Sequence, residues 1–148
     1  MSAEHGAYGN RFTTPPRPPE RPSLRVLFVD ADPQRPEALR RALPPNCVVA
    51  TVSSIQAAAG ILSQQAPDLI VTDLDLPDGS GLQLIRRVHH DPATRHVLLM
   101  VVTSRGTLGD KIAALEAGAD DYLVRPVDPE RFAIHALLIS RFRRTLPR

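Results

Sequence analysis

Asp68-Leu69-Ile70-Val71-Thr72-Asp73-Leu74-Asp75-Leu76-Pro77-Asp78-Gly79-Ser80-Gly81 opens with a short apolar run rich in β-branched residues. Such a run reads as a strand covered on both faces, because a doubly buried strand needs no alternation. The run stops at Asp73. Pro77-Asp78-Gly79 then supplies a turn, and Gly81 leads into a helical pattern. The sequence therefore sets a carboxylate where a buried strand emerges into a loop. In open α/β sheets ligands and chemistry collect at that carboxyl-end rim. Taken alone, Asp73 could equally be a turn residue bonding its own backbone.

The same punctuation recurs on both sides. Leu24 to Val29 reads as strand 1, ending at Asp30, and Asp32-Pro33 reads as the N-cap and first residue of a helix running to about Leu43, stopped by Pro44-Pro45. Val48 to Val52 is strand 2. Ser53 or Ser54 caps helix 2, whose Ile55, Ala58, Ala59 and Leu62 share one face. Helix 3 carries Leu82, Ile85 and Val88, and Asp91-Pro92 breaks it. Val97 to Val102 is strand 4, followed by Thr103-Ser104. Helix 4 spans about Leu108 to Ala117 with Gly118 as its left-handed cap. Asp121 to Val124 is strand 5, then Arg125-Pro126. Helix 5 starts near Asp128-Pro129 and carries Phe132, Ala136, Leu137 and Ile139.

Strand followed by helix, five times over, implies parallel pairing through right-handed crossovers. The expectation is a flavodoxin-like (βα)5 α/β fold: a five-stranded parallel sheet in the order 2-1-3-4-5, helices on both faces.

Composition bounds the function. The 148 residues, 43% hydrophobic and 23% charged, make one domain's worth of ordinary globular chain. A single cysteine, Cys47, leaves no internal disulfide framework and fits a reducing cytoplasm. No apolar leader precedes the first strand, and the longest apolar run is too short to span a bilayer, so no membrane role is expected. Residues 1–23 hold five prolines between Pro15 and Pro22 and read as a disordered or polyproline-like tail. Residues 24–143 form the domain, and 144–148 a basic end. The net charge of +2 comes from Arg141, Arg143, Arg144 and Arg148. No recognition helix or aromatic platform accompanies these arginines, so a solvated tail is favoured over a nucleic-acid contact. No cysteine/histidine metal spacing, nucleophile elbow or glycine-rich nucleotide loop is present.

All five strands share one carboxyl-end rim. It receives Asp30 and Asp32 from strand 1, Asp73 from strand 3, Thr103 from strand 4 and Arg125 from strand 5. Carboxylates facing a hydroxyl and a cation suit phosphate, and clustered carboxylates can hold Mg²⁺, an ion that prefers oxygen ligands.

With Val26 to Asp30, Asp68 to Gly81, Val101 to Ser104 and Ala117 to Pro126 in place, the chain resembles a receiver domain of a two-component response regulator over about Leu24 to Phe142. The resemblance implies that Asp73 is the phosphoacceptor, attacking a phosphohistidine on a sensor histidine kinase or phosphotransfer protein. Thr103 matches the hydroxyl that moves toward the aspartyl phosphate, and Tyr122 the aromatic that turns inward with it. Asp30, Asp73 and the backbone carbonyl of Asp75 match the Mg²⁺ ligands. The helix 4–strand 5–helix 5 face is the implied surface for a downstream protein or a homodimer. The implied role is a cytoplasmic binding switch, not an enzyme.

Two departures touch the chemistry. Where the family places a second acidic residue after strand 1, normally the direct metal ligand, this chain has Ala31, which weakens the expected Mg²⁺ site. Asp32 is the nearest substitute, against its competing role as a helix cap. Arg125 stands where the family has lysine. It either grips Asp73 at rest, partly reproducing the activated arrangement, or leans outward over the rim. Two readings stay open: a phosphorylatable receiver, and a phosphorylation-independent pseudo-receiver that serves as a protein-interaction module.

Overall fold

The computed structural model describes residues 14–16 and 24–145, with side chains in the last helix described through Arg141. Most of the expected disordered tail and most of the basic end lie outside the described residues. The elements are β1 (Arg25–Val29), α1 (Glu37–Ala42), β2 (Val48–Val52), α2 (Ile55–Gln64), β3 (Leu69–Thr72), α3 (Gly81–His90), β4 (Leu98–Thr103), α4 (Leu108–Ala117), β5 (Asp121–Val124) and α5 (Pro129–Thr145). A two-rung antiparallel hairpin, Asp75–Leu76 against Gly79–Ser80, lies between β3 and α3, with Pro77-Asp78 at its tip.

The five long strands pair in the order β2-β1-β3-β4-β5, every pair parallel. This is the expected order, and its cause is visible in burial. Every residue of β3 and β4 is buried, whereas edge strand β2 keeps a mixed pattern. Side chains alternate between two cores because successive Cβ atoms point to opposite faces of the sheet. Leu27, Val29, Ile70, Leu99 and Val101 join Ala58, Leu84, Ile85, Val88 and Ala114 from α2, α3 and α4. Val26, Phe28, Leu69, Val71, Met100 and Val102 join Leu39, Phe132 and Ala136 from α1 and α5. Phe28 and Phe132 meet as a tilted aromatic pair, ring centroids 5.9 Å apart.

One element departs from the sequence expectation. The first helix was expected from Asp32, but α1 begins only at Glu37, and residues 33–36 form turns closed by Arg35 N–H to Asp32 C=O (3.2 Å) and Glu37 N–H to Gln34 C=O (3.2 Å). The reason is Pro36, which has no N–H to return to Asp32 and disfavours helical geometry at Arg35 before it. Asp32 therefore caps a turn instead of the helix: its carboxylate accepts the N–H of Gln34 (3.0 Å). At α2 and α4 the caps match the sequence. Ser54 Oγ accepts from Ala57 N–H at α2, and Gly118, at φ 126°, ends α4.

Candidate functional site

Asp73 follows β3 directly. Its backbone N–H donates to Val29 C=O of β1 (3.0 Å), which holds it in register beside Asp30, the residue following β1. Both side chains are buried, Asp30 8% and Asp73 3% exposed. Two buried carboxylates side by side demand compensation, and two arginines provide it. Arg125, just beyond β5, donates from Nη1 to Asp73 Oδ2 (3.1 Å) and from Nη2 to Asp30 Oδ2 (2.9 Å) and to Val102 C=O (3.2 Å). Arg35, from the turn before α1, brings Nη1 to Asp73 Oδ2 (3.4 Å) and Nε to Asp30 Oδ1 (3.6 Å). Of the two orientations considered for Arg125, the inward grip is the observed one.

The remaining acceptor capacity is filled by backbone. Asp73 Oδ1 accepts from the N–H groups of Leu74 (2.6 Å) and Asp75 (3.3 Å), and Asp30 Oδ1 from that of Asp32 (2.9 Å). Burial pushes the Asp30 carboxyl above the usual aspartate range, opposed by the Asp32 N–H and then by Arg125 and Arg35, while the neighbouring Asp73 charge adds to the rise. Gly81 lets α3 start against this loop: a Cβ there would stand 2.2 Å from the Asp73 carbonyl oxygen and 3.0 Å from Leu74 Cα. Only glycine permits that approach.

The neighbouring part of the rim is wetter. Asp75 points its carboxylate at Arg105, which grips it through Nε (2.9 Å and 3.0 Å) and Nη2 (2.7 Å). The Arg105 hydrogen bond holds the Asp75 carboxyl below its ordinary value. Thr103 is fully buried at the end of β4 and its Oγ1 accepts the N–H of Arg105 (3.3 Å). Tyr122 is buried among the α3–α4 core residues, and its hydroxyl donates to the Arg105 carbonyl. The loop after β4 is thus tied from one side by Asp75 and from the other by Tyr122. Asp78, at the hairpin tip, accepts the N–H groups of Ile55 and Gln56 (both 2.9 Å) at the start of α2.

Asp30, Asp73 and Arg125 are therefore brought into direct contact. Thr103 ends the adjacent strand β4, Tyr122 is tied to the loop after it through the Arg105 carbonyl, and the Asp32 carboxylate is turned to its own turn. Arg35 and Arg105 escaped the sequence reading, since no spacing rule marks a long side chain that reaches back from a loop. On the far side of β5, His135 of α5 bonds Asp121 Oδ2 through Nδ1 (2.7 Å).

The donor set for a divalent cation can be judged from these contacts. Ala31 offers no ligand, the Asp32 and Asp75 carboxylates are engaged elsewhere, and two guanidinium groups occupy the oxygens of Asp30 and Asp73. Among the described residues no group of three or more His, Cys, Asp or Glu is arranged around a metal position. As arranged, the site does not fit a hard cation, which needs free oxygen ligands.

Residues 26–136 match the model of the response regulator receiver domain. The chain belongs to that family. Phosphorylation-based signalling is general to receiver domains, and so is divalent-metal binding. Among curated relatives, the phosphate regulon transcriptional regulatory protein PhoB of Escherichia coli is 36% identical over 57% of this chain and 37% of its own length. The response regulator PleD of Caulobacter vibrioides is 30% identical over 82% of this chain and 27% of its own length. The chain thus spans less than two fifths of either relative. A CheY-like response regulator receiver domain protein from Methanospirillum hungatei superimposes with a TM-score of 0.74, covering 81% of this chain and 95% of that one at 22% identity. This likeness bears on the fold. No helix among the described residues is long and apolar enough to cross a membrane.

Proposed function

We propose that this chain is a receiver module that accepts a phosphoryl group on Asp73 from the phosphohistidine of a sensor kinase or phosphotransfer protein, and acts as a binding switch instead of a turnover enzyme. The single observation that carries this reading is the convergence of Asp73 Oδ2, Asp30 and a guanidinium cation at the exit of the central strand. Asp73 Oδ2 attacks the phosphorus. The P–N bond breaks with its electron pair staying on the imidazole, which leaves neutral when its other nitrogen carries a proton. Arg125, already on Oδ2, is positioned to bind the incoming phosphoryl oxygens, and Thr103 lies on the next strand to take part in the switch. With Ala31 and the engaged Asp32, metal binding at Asp30, Asp73 and the Asp75 carbonyl is weakened.

Signal output is assigned to α4, β5 and α5, coupled to the site through Thr103, the Arg105 loop and Tyr122. Each of the three elements leaves apolar side chains in solvent: Leu108, Ile112 and Leu115 on α4, Val124 on β5, Ile134 and Leu138 on α5. Such surface supports a protein partner or a second copy of the chain. Domain limits of 24–143 and a cytoplasmic setting belong to the same proposal.

A second reading, a phosphorylation-independent pseudo-receiver, draws support from the closed ion-pair cluster and the already buried Tyr122. Intact mass after incubation with acetyl phosphate, with Asp73→Asn as control, separates the two. A one-phosphoryl gain on wild type alone is expected. A wild-type protein that gains nothing, even when quenched early enough to trap a short-lived adduct, supports the second reading.

A further inference from the structure

The clamp around Asp73 has a feature that the acceptor role alone does not require. Two carboxylates, Asp30 and Asp73, face two guanidinium groups, Arg35 and Arg125, so the pocket is balanced without any added ion. Arg125 makes the shorter bridge between the two acids, because its planar fork offers separate nitrogens to each, and its third contact, to Val102 C=O, keeps it seated. Its side chain is only 19% exposed, so it cannot simply be released into solvent, whereas Arg35 at 42% can swing.

We propose that Arg35 and Arg125 stand in for the divalent cation at Asp30 and Asp73, making this a two-guanidinium oxyanion site that works without metal. The inference builds on Asp73 as acceptor but concerns what neutralises it. The geometry matches the task. Both Nη1 atoms converge on the same acceptor oxygen, Oδ2, while Oδ1 is held by backbone N–H groups. When a phosphoryl group bonds to Oδ2, its oxygens lie one bond further out, within the reach of both forks. Guanidinium groups bind such oxyanions bidentately. Charge that a metal would neutralise in the transition state is met by two guanidinium cations that already sit on Asp73 Oδ2, the Arg125 one largely buried. A divalent ion entering the same place would be repelled by both guanidinium groups and would have to displace the buried one. Arg35 acquires a role that no sequence signal suggested: with Arg125 it supplies the second positive charge.

The test uses the full chain and has two arms. In the first, Mn²⁺ binding is followed by water-proton relaxation for wild type, Arg35→Ala, Arg125→Ala, the double variant and Asp73→Asn. Wild type is expected to show no saturable binding at millimolar Mn²⁺. Removing the arginines should tighten binding by about tenfold or more, since each takes away a repelling charge. Saturable wild-type binding that Asp73→Asn abolishes overturns the proposal, and this measurement needs no variant of uncertain folding. In the second arm, acetyl phosphate labelling is compared in Mg²⁺ and in EDTA. Adduct yields agreeing within about twofold support the proposal, and adduct formed only with Mg²⁺ overturns it. If no adduct forms in either, the acceptor reading fails, while the Mn²⁺ arm still decides whether arginine has replaced the cation.

Discussion

Asp73 and Asp75 lie two residues apart, both pair with arginine, and their surroundings could hardly differ more. The Asp73 side chain is 3% exposed and shares two guanidinium groups with Asp30, itself buried. The Asp75 side chain is 54% exposed and meets one arginine, itself half in water, at 2.7 Å. The shorter contact is the weaker one energetically. Exposed pairs gain little over hydration, whereas a buried acid deprived of its partner retains a charge that nothing solvates. Distance alone does not rank ion pairs; the water each group has given up does.

The sharpest way to break the contrast is Arg125→Ala. It leaves Asp30 and Asp73 buried with only the longer Arg35 contacts, and should cost about 3 kcal/mol in urea unfolding. A loss under about 1 kcal/mol would mean the pocket is as well screened as the surface. Asp30→Asn in the Arg125→Ala background should recover part of that loss, because it removes one of the stranded charges.

Arg35→Ala comes next, at about 1 kcal/mol, since the side chain is partly exposed and its contacts are 3.4 Å and 3.6 Å. Arg105→Ala should cost less than either, because the pair stands in water, and the difference should vanish in high salt. Its clearer effect is on Asp75, whose carboxyl should rise toward the ordinary 3.8 in a carbon-detected NMR titration.

The smallest effects lie in pH dependence, where the two regions have opposite signs. Asp30 is raised in the folded protein, so the native state holds its proton more tightly than the unfolded chain. Its contribution is lost as pH rises from 3.8 through the raised value. Asp78 is lowered by the N–H groups of Ile55 and Gln56. Its contribution is complete above 3.8 and lost as pH falls through the lowered value. Midpoints of thermal unfolding across the acid range, for wild type against Asp30→Asn and Asp78→Asn, should diverge in opposite directions. Parallel curves would show that the hairpin tip and the pocket are equally indifferent to ionisation.

Much of the molecule was legible beforehand, for identifiable reasons. Continuous apolar runs ending in Asp30, Asp73 and Thr103 mark buried parallel strands and what they deliver to the rim. Gly118 and Ser54 mark helix ends through backbone rules that operate locally. The first helix was misjudged because Asp32-Pro33 is a strong start signal, and Pro36, three residues later, overrides it. The Asp73 pocket was half legible: its acids and Arg125 follow strands, but Arg35 comes from a turn, and nothing in its neighbours fixes where four rotatable bonds will point.

From sequence alone came the five-fold alternation, the strand order it implies, and the identity of the groups at the strand ends, because periodicity, caps and turns act over a few residues. Tertiary structure decided which charges meet. Asp30 and Arg35 share the connection between β1 and α1, Asp73 follows β3 and Arg125 follows β5, and Arg105 reaches Asp75 across thirty residues of chain. Those pairings follow from which side chains lose their water together, and burial is a property of the packed molecule, not of any stretch within it.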